Sequence, residues 1–274
     1  MEESLEDLVR QARGGDRDSL ERLVSAIQDR IYGLALRMLW HPEDARDATQ
    51  EILVRIVTRL GTYRGESSFS TWAHRVAANY LLTARKSRVE QQALTFQRFG
   101  EDLEDGLSDA SAVPATGETA LLLEEVKVGC TLGMLTCLDR AHRLAYILGE
   151  IMELEHGEAA AALQIAPAAH RKRLSRARER INALMLARCG LVRKENACRC
   201  RRRVATAIGL GRLDPQRLLF ASSLEQARQF PQVLAEIRRL EEARRAAALY
   251  RSHGDAEPSR SFVVWLRELV TGTR

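Results

Sequence analysis

Residues 31–60 read IYGLALRMLWHPEDARDATQEILVRIVTRL. Ile31, Leu34, Ala35, Met38 and Leu39 recur at i, i+3, i+4 and i+7, which predicts a helix that buries one stripe. Pro42 opens a second helix at the position where a missing N–H matters least, and Glu43 and Asp44 complement the helix dipole there. Ala45, Ala48, Ile52, Ile56 and Leu60 form its inward side, with Gly61 as the expected C-terminal cap. Asp44, Asp47 and Glu51 fall on another face, with Gln50 beside them. Two readings fit that face: an ordinary solvated surface, or a polar stripe on which a partner docks.

The same helical character extends over the whole chain of 274 residues. Aromatic residues make up only 5 % while Ala and Leu abound, a balance that suits helices better than sheets. An all-α fold is expected. Lys and Arg number 42 against 37 Asp and Glu, giving a pI near 9.1. The excess is mild, but it is unevenly placed: acids gather between Glu101 and Asp109, bases at Arg171–Arg180 and Arg199–Arg203. The start, MEESLEDLVRQ, lacks the positive and apolar parts of a secretory signal, and no apolar run approaches the roughly 20 residues of a membrane helix. A cytoplasmic protein with reduced cysteines and no membrane partner is expected.

Four stretches separate. Residues 1–97 form a helical block, and residues 98–119, within FGEDLEDGLSDASAVPATGET, are acidic and rich in Gly, Ser and Pro, as a flexible linker would be. Residues 120–192 form a second helical block. Residues 193–274 begin basic and cysteine-bearing and then become helical, with Leu218, Leu219, Leu224, Val233, Leu234, Ile237 and Leu240, then Phe262, Val263, Trp265, Leu266 and Leu269, as apolar positions. The arginines of 238–245 are expected on one basic helix. Two small helical domains with a linker and a helical extension result.

Within the first block, YRGESSFSTW over 63–72 sets three aromatics among small polar residues. Arg75, Asn79, Tyr80, Arg85, Lys86 and Arg88 follow. Unstacked bases need a flat surface and an edge partner, which such a mixture offers; equally, Phe69 and Trp72 stand at the i, i+3 spacing of core residues. In the second block, Glu158–Leu163 is a short Ala-rich helix, Gln164–Pro167 a turn, and Ala168 onward a long basic helix, a helix-turn-helix pattern. Leu174, Ala177, Ile181 and Leu184 mark its buried stripe. Arg171, Lys172, Ser175 and Arg176 are left outward near its start, placed to pair with guanine or neutralise phosphate.

These runs resemble the extracytoplasmic-function sigma factors of bacterial RNA polymerase. Asp44, Ala45, Asp47, Gln50 and Glu51 match the acidic helix of that family's region two. Arg64, Gly65, Ser67, Phe69, Thr71 and Trp72 match its loop, and Arg75, Ala77 and Asn79 its following helix. Arg173-Leu174-Ser175-Arg176-Ala177-Arg178 matches the end of its region-four recognition helix. The resemblance covers about the first 192 residues. It implies that Asp44, Asp47, Gln50 and Glu51 dock on core polymerase. Tyr63, Ser67, Ser68, Phe69, Trp72, Arg75 and Asn79 would melt the minus-ten element and hold a flipped base. Arg171, Lys172, Arg173, Ser175 and Arg176 would read the minus-thirty-five element of promoter DNA. Leu81-Leu82-Thr83 stands where the family often has an acid, His170 where it has a small apolar residue, and Gln164 where the turn often has Gly. The resemblance also leaves room for an anti-sigma protein as a further partner.

Cys189, Cys198 and Cys200 form C-x8-C-x-C. Thiolates so close suit zinc, with Cys130, Cys137 or a histidine as fourth ligand, and the adjoining arginines are expected to lower their pKa. No cofactor is otherwise required. Two further readings compete: a helix-turn-helix regulator acting without polymerase, and a thiol or zinc sensor. An enzyme is not expected, because no phosphate-cradling glycine loop or nucleophile-and-base set is present.

Overall fold

The computed structural model describes residues 3–85, 88–91, 93–107 and 117–253. The first block comprises α1 (Leu5–Arg13), α2 (Arg17–Leu39), α3 (Pro42–Thr58), a 3-10 turn (Leu60–Thr62) and α4 (Phe69–Thr83). Next come α5 (Arg88–Gln91), α6 (Phe96–Asp105) and α7 (Gly117–Thr136), then α8 (Arg140–Tyr146) running into a π-helical turn, Ile147–Ile151. The second block ends with α9 (His156–Ala162) and α10 (Pro167–Arg188), and the extension supplies α11 (Cys200–Gly209), α12 (Leu224–Arg239) and α13 (Glu242–Arg251). Among the described residues there is no strand, only an isolated bridge pairing Cys189 with Cys198. The fold is all-α. No helix among the described residues is long and apolar enough to cross a membrane.

The apolar stripes read from sequence are the ones that pack. Ile31, Leu34, Ala35, Met38 and Leu39 of α2 are buried, as are Ala45, Ala48, Ile52, Ile56 and Leu60 of α3 and its turn. His41 caps α3 by accepting the Glu43 N–H at Nδ1 (3.3 Å). The helix stops at Thr58, short of Gly61, because the 3-10 turn takes up the intervening residues.

The linker expected over 98–119 begins instead as a helix. Thr95 caps α6 by accepting from Arg98 N (3.2 Å), Leu103 is buried, and Gly100 lets the helix approach Leu184 and Arg188 of α10. Its acids have distant basic partners: Asp102 pairs with Arg203 (2.9 Å) and Arg212 (2.8 Å), and Glu104 with Arg188. Local composition reads as linker, whereas the tertiary arginines make it a packed element. Residues 108–116 lie outside the described residues, as do Lys86 and the stripe Phe262, Val263, Trp265, Leu266 and Leu269.

One apolar cluster runs from Leu8 in α1 to Tyr250 in α13, so the two blocks and the extension share a core. α4 packs against α9, and α2 against α7 and α8. Two arginines of α8 tie the blocks together. Arg143, almost fully buried, donates to the carbonyls of Met38, Leu135 (2.9 Å), Thr136 (3.1 Å) and Leu138 (2.9 Å). Arg140 donates to Leu81 (3.0 Å) and Ala84 (2.6 Å) at the end of α4. Both reach the buried carboxylate of Glu90, at 2.7 Å and 2.9 Å. Cations thus sit at the negative ends of α2 and α4.

The extension lies against α7 and α10. Buried Glu125 of α7 accepts from the N–H groups of Leu219, Phe220 and Ala221, each at 2.8 Å, and so anchors the segment before α12. Residues 238–245 do not make one basic helix, because α12 ends at Arg239 and α13 begins at Glu242.

Candidate nucleic-acid interface

On α3, Asp44, Asp47 and Glu51 are exposed and Gln50 is half-buried. None of the three acids has a basic partner among the described residues, although Glu43 beside them pairs with Arg217 of the extension (3.2 Å). A helix that buries its apolar side and leaves three adjacent carboxylates unneutralised presents one negative stripe.

The aromatic loop divides. Phe69 is fully buried and stacks on Trp72 (ring centroids 5.6 Å apart), with Tyr63 edge-on to it at 5.6 Å. Phe69 therefore has no face free for a base in this arrangement, and the core reading holds for it. Ser68 caps α4, accepting from Thr71 N (3.2 Å), and Glu6 of α1 accepts from Phe69 N (3.2 Å). Tyr63 donates its hydroxyl to Ser67 O (2.7 Å), closing the loop around Gly65, whose φ of +75° suits glycine. Tyr63, Ser67, Trp72 and Arg75 meet at an open pocket of about 440 Å³, with Thr62, Arg64, Glu66 and Thr71. Asn79 lies outside it, exposed one turn beyond Arg75 on the Trp72–Arg75 line of α4. Ala161 of α9 also lines the pocket, a contribution that sequence spacing gave no sign of. His74, buried on α4, was likewise not singled out; burial, with Arg30 nearby, pushes its pKa down to about 4.

The helix-turn-helix forms as read. Gln164, where glycine is usual, takes a left-handed φ of +53° to make the turn. Leu174, Ala177, Ile181 and Leu184 are buried. His170 is fully buried between α9 and the core, where burial lowers its pKa, so it packs as a neutral ring. Arg171, Lys172, Ser175 and Arg176 are exposed and Arg173 is half-buried. Arg171, Lys172 and Arg176 have no acidic partner among the described residues, unlike Arg178 one turn on, which pairs with Glu150. Unneutralised bases at the start of a recognition helix are what phosphate and base edges require. The extension leaves this face open; it meets the far half of α10, where Asn182 donates to Ala243 O (3.1 Å).

Cys189, Cys198 and Cys200 come together, and Cys130 of α7 joins them around one cavity. The neighbouring arginines do not leave the thiols acidic, as their sequence suggested. Burial outweighs them and raises all four pKa values, that of Cys198 to about 11. As the side chains stand, no group of three or more His, Cys, Asp or Glu among the described residues is arranged to hold a metal ion.

The all-α chain thus presents an exposed acidic stripe on α3, a polar-aromatic pocket and a helix-turn-helix with exposed bases. Comparison with known proteins gives its family. The Sigma-70 region 2 family profile matches residues 23–91. RNA polymerase sigma-H factor of Pseudomonas aeruginosa is 30 % identical over 185 residues, covering 66 % of this chain and 93 % of that protein. The ECF RNA polymerase sigma factor SigW of Bacillus subtilis is 28 % identical, covering 65 % and 95 %, and the sigma-E factor of Escherichia coli K12 28 %, covering 66 % and 95 %. A solved structure, of CnrH in complex with the cytosolic domain of CnrY, aligns over 65 % of this chain and 94 % of that one at 22 % identity, with a TM-score of 0.47. The chain belongs to the extracytoplasmic-function RNA polymerase sigma factors. About a third of it has no counterpart in those relatives.

Proposed function

We propose that this sigma factor docks on core polymerase through Asp44, Asp47, Gln50 and Glu51 and reads the minus-thirty-five element with Arg171, Lys172, Arg173, Ser175 and Arg176. The minus-ten element engages the pocket of Tyr63, Ser67, Trp72 and Arg75, with Ser68 and Asn79 at its edges. The observation that carries this reading is the pairing of two unneutralised, exposed faces of opposite charge on one chain. Three acids on α3 suit a protein surface, and three bases on α10 suit DNA. Neither the polymerase-independent regulator nor the sensor reading accounts for the acidic stripe.

The packing of α9 on α4 adds a step. The two promoter elements lie some two helical turns apart, on the order of 70 Å at about 34–36 Å per turn, while α4 and α9 touch. Engaging both elements requires the two blocks to part, breaking the Glu90–Arg140–Arg143 tie. The described arrangement is in this reading a closed, resting one. An anti-sigma protein that favours the closed arrangement would have the same effect as a stronger tie.

The test is affinity for core polymerase. Reversing Asp47 and Glu51 to Lys is expected to abolish binding with helical circular dichroism intact, since neither side chain is buried. Unchanged affinity would remove α3 from the interface.

A further inference from the structure

Cys130, Cys189, Cys198 and Cys200 come from three separate elements. They meet at a cavity of about 30 Å³ that Met134, Met185 and Leu249 help to line. The space is sufficient for an ion and too small for an organic ligand. The segment carrying the last three thiols is a built loop. Gly190 N donates to Cys198 O (3.0 Å), and a Cβ at position 190 would collide with that same oxygen. Asn196 donates to the carbonyls of Leu186 (3.0 Å) and Cys189 (3.2 Å). Arg199 donates to those of Lys194, Asn196 and Cys198. Arg238 holds Gly190 O and Arg245 holds Val192 O, each at 3.0 Å. So many donors directed at one short loop fix the thiol-bearing backbone in place.

A further feature suits an ionised sulfur better than a neutral thiol. Two buried cations adjoin the cavity: Lys127, paired with Glu124 (2.7 Å), and Arg203, paired with Asp102 (2.9 Å). Four thiolates around a divalent ion carry a net charge of two minus, which a buried site tolerates only beside positive charge.

We propose that Cys130, Cys189, Cys198 and Cys200 form one tetrahedral site for a soft divalent cation of the zinc class, clasping the C-terminal extension to α7. Thiolate donors select such an ion, and zinc imposes no other geometry on them. Binding replaces four S–H bonds with four metal–sulfur bonds and releases four protons to solvent, with no change of oxidation state. Because no three thiols are yet placed as a metal cluster, the side chains turn inward about χ1 as the ion enters. Cys137, in the turn after α7 and beside Arg143, does not line the cavity and takes no part.

The test uses the full chain, reduced and stripped with chelator, titrated with Co²⁺ and then Zn²⁺. One equivalent of Co²⁺ is expected, with the intense sulfur-to-metal absorption of tetrathiolate coordination, and one equivalent of Zn²⁺ should displace it. Cys130→Ser should weaken binding at least about tenfold, and Cys137→Ser should leave it unchanged. Zn²⁺ should also slow proteolysis between α11 and α12 in the wild type and not in Cys130→Ser. Should Cys130→Ser not fold, Cys198→Ser in the loop serves in its place. The proposal fails if the folded, reduced protein binds no Co²⁺, if the spectrum shows oxygen or nitrogen ligands only, or if Cys130→Ser binds as the wild type does.

Discussion

Glu90→Gln is the substitution that probes the closed arrangement most sharply. The carboxylate is 5 % exposed and faces two guanidiniums, Arg140 at 14 % and Arg143 at 2 %. It accepts from Arg140 Nε (3.0 Å) and Nη2 (2.7 Å) and from Arg143 Nη1 (2.9 Å). Removing one partner of a buried ion pair costs about 3–5 kcal/mol, because the remaining charge is left uncompensated. Glutamine keeps one carbonyl acceptor, and Arg143 keeps its four backbone carbonyls, so the low end applies, about 3 kcal/mol. For a protein of this size that is a fall in Tm of about 6–12 °C, at about 2–4 °C per kcal/mol. If the blocks part before they unfold, the same energy shifts the closed–open balance by about two powers of ten. Thermal unfolding and small-angle scattering read the two outcomes. A lower Tm, a larger radius of gyration, or both is expected. A variant matching the wild type in both would show that Glu90 does not hold the blocks together.

Phe69→Ala should destabilise the first block by about 3–5 kcal/mol, as deletion of a buried aromatic ring does; a urea midpoint equal to the wild type's would return Phe69 to the base-binding surface. His74 has its folded pKa lowered to about 4, below the ordinary value of 6.5. The neutral ring is the folded form, so its contribution is complete above about pH 6.5 and is lost as pH falls towards 4, by up to about 3 kcal/mol. His170 and His253, also lowered by burial, act in the same direction. His74→Asn should flatten the acid limb of urea stability by about one proton, and an unaltered slope would show that His74 is not the group responsible.

What the sequence made legible was what repeats locally. The faces of α2, α3 and α10 follow from helical periodicity, and every position assigned to their buried stripes is buried. The outward placing of the acids of α3 and the bases of α10 was visible for the same reason. Long-range pairing was not. Arg140 and Arg143 sit in LDRAHRL, which reads as ordinary helix, and their worth comes from Glu90 and from the carbonyl ends of α2 and α4. The acids of α6 resemble a linker until Arg188, Arg203 and Arg212 are brought to them. Phe69 and Trp72 carried two readings because an aromatic at i, i+3 serves a core and a base equally well; both are buried, and only Trp72 also lines the open pocket. Cys130, 59 residues before Cys189 (189 − 130), joins the other thiols only through the packing of α11 on α7.

The central claim is that this chain gives core polymerase its promoter. Run-off transcription with purified core, on a promoter library, measures it directly. The account predicts transcripts from a defined subset of promoters only when the chain is added, and none when Asp47 and Glu51 are reversed to Lys. Core polymerase that initiates from the same promoters at the same rate with and without the chain would contradict it.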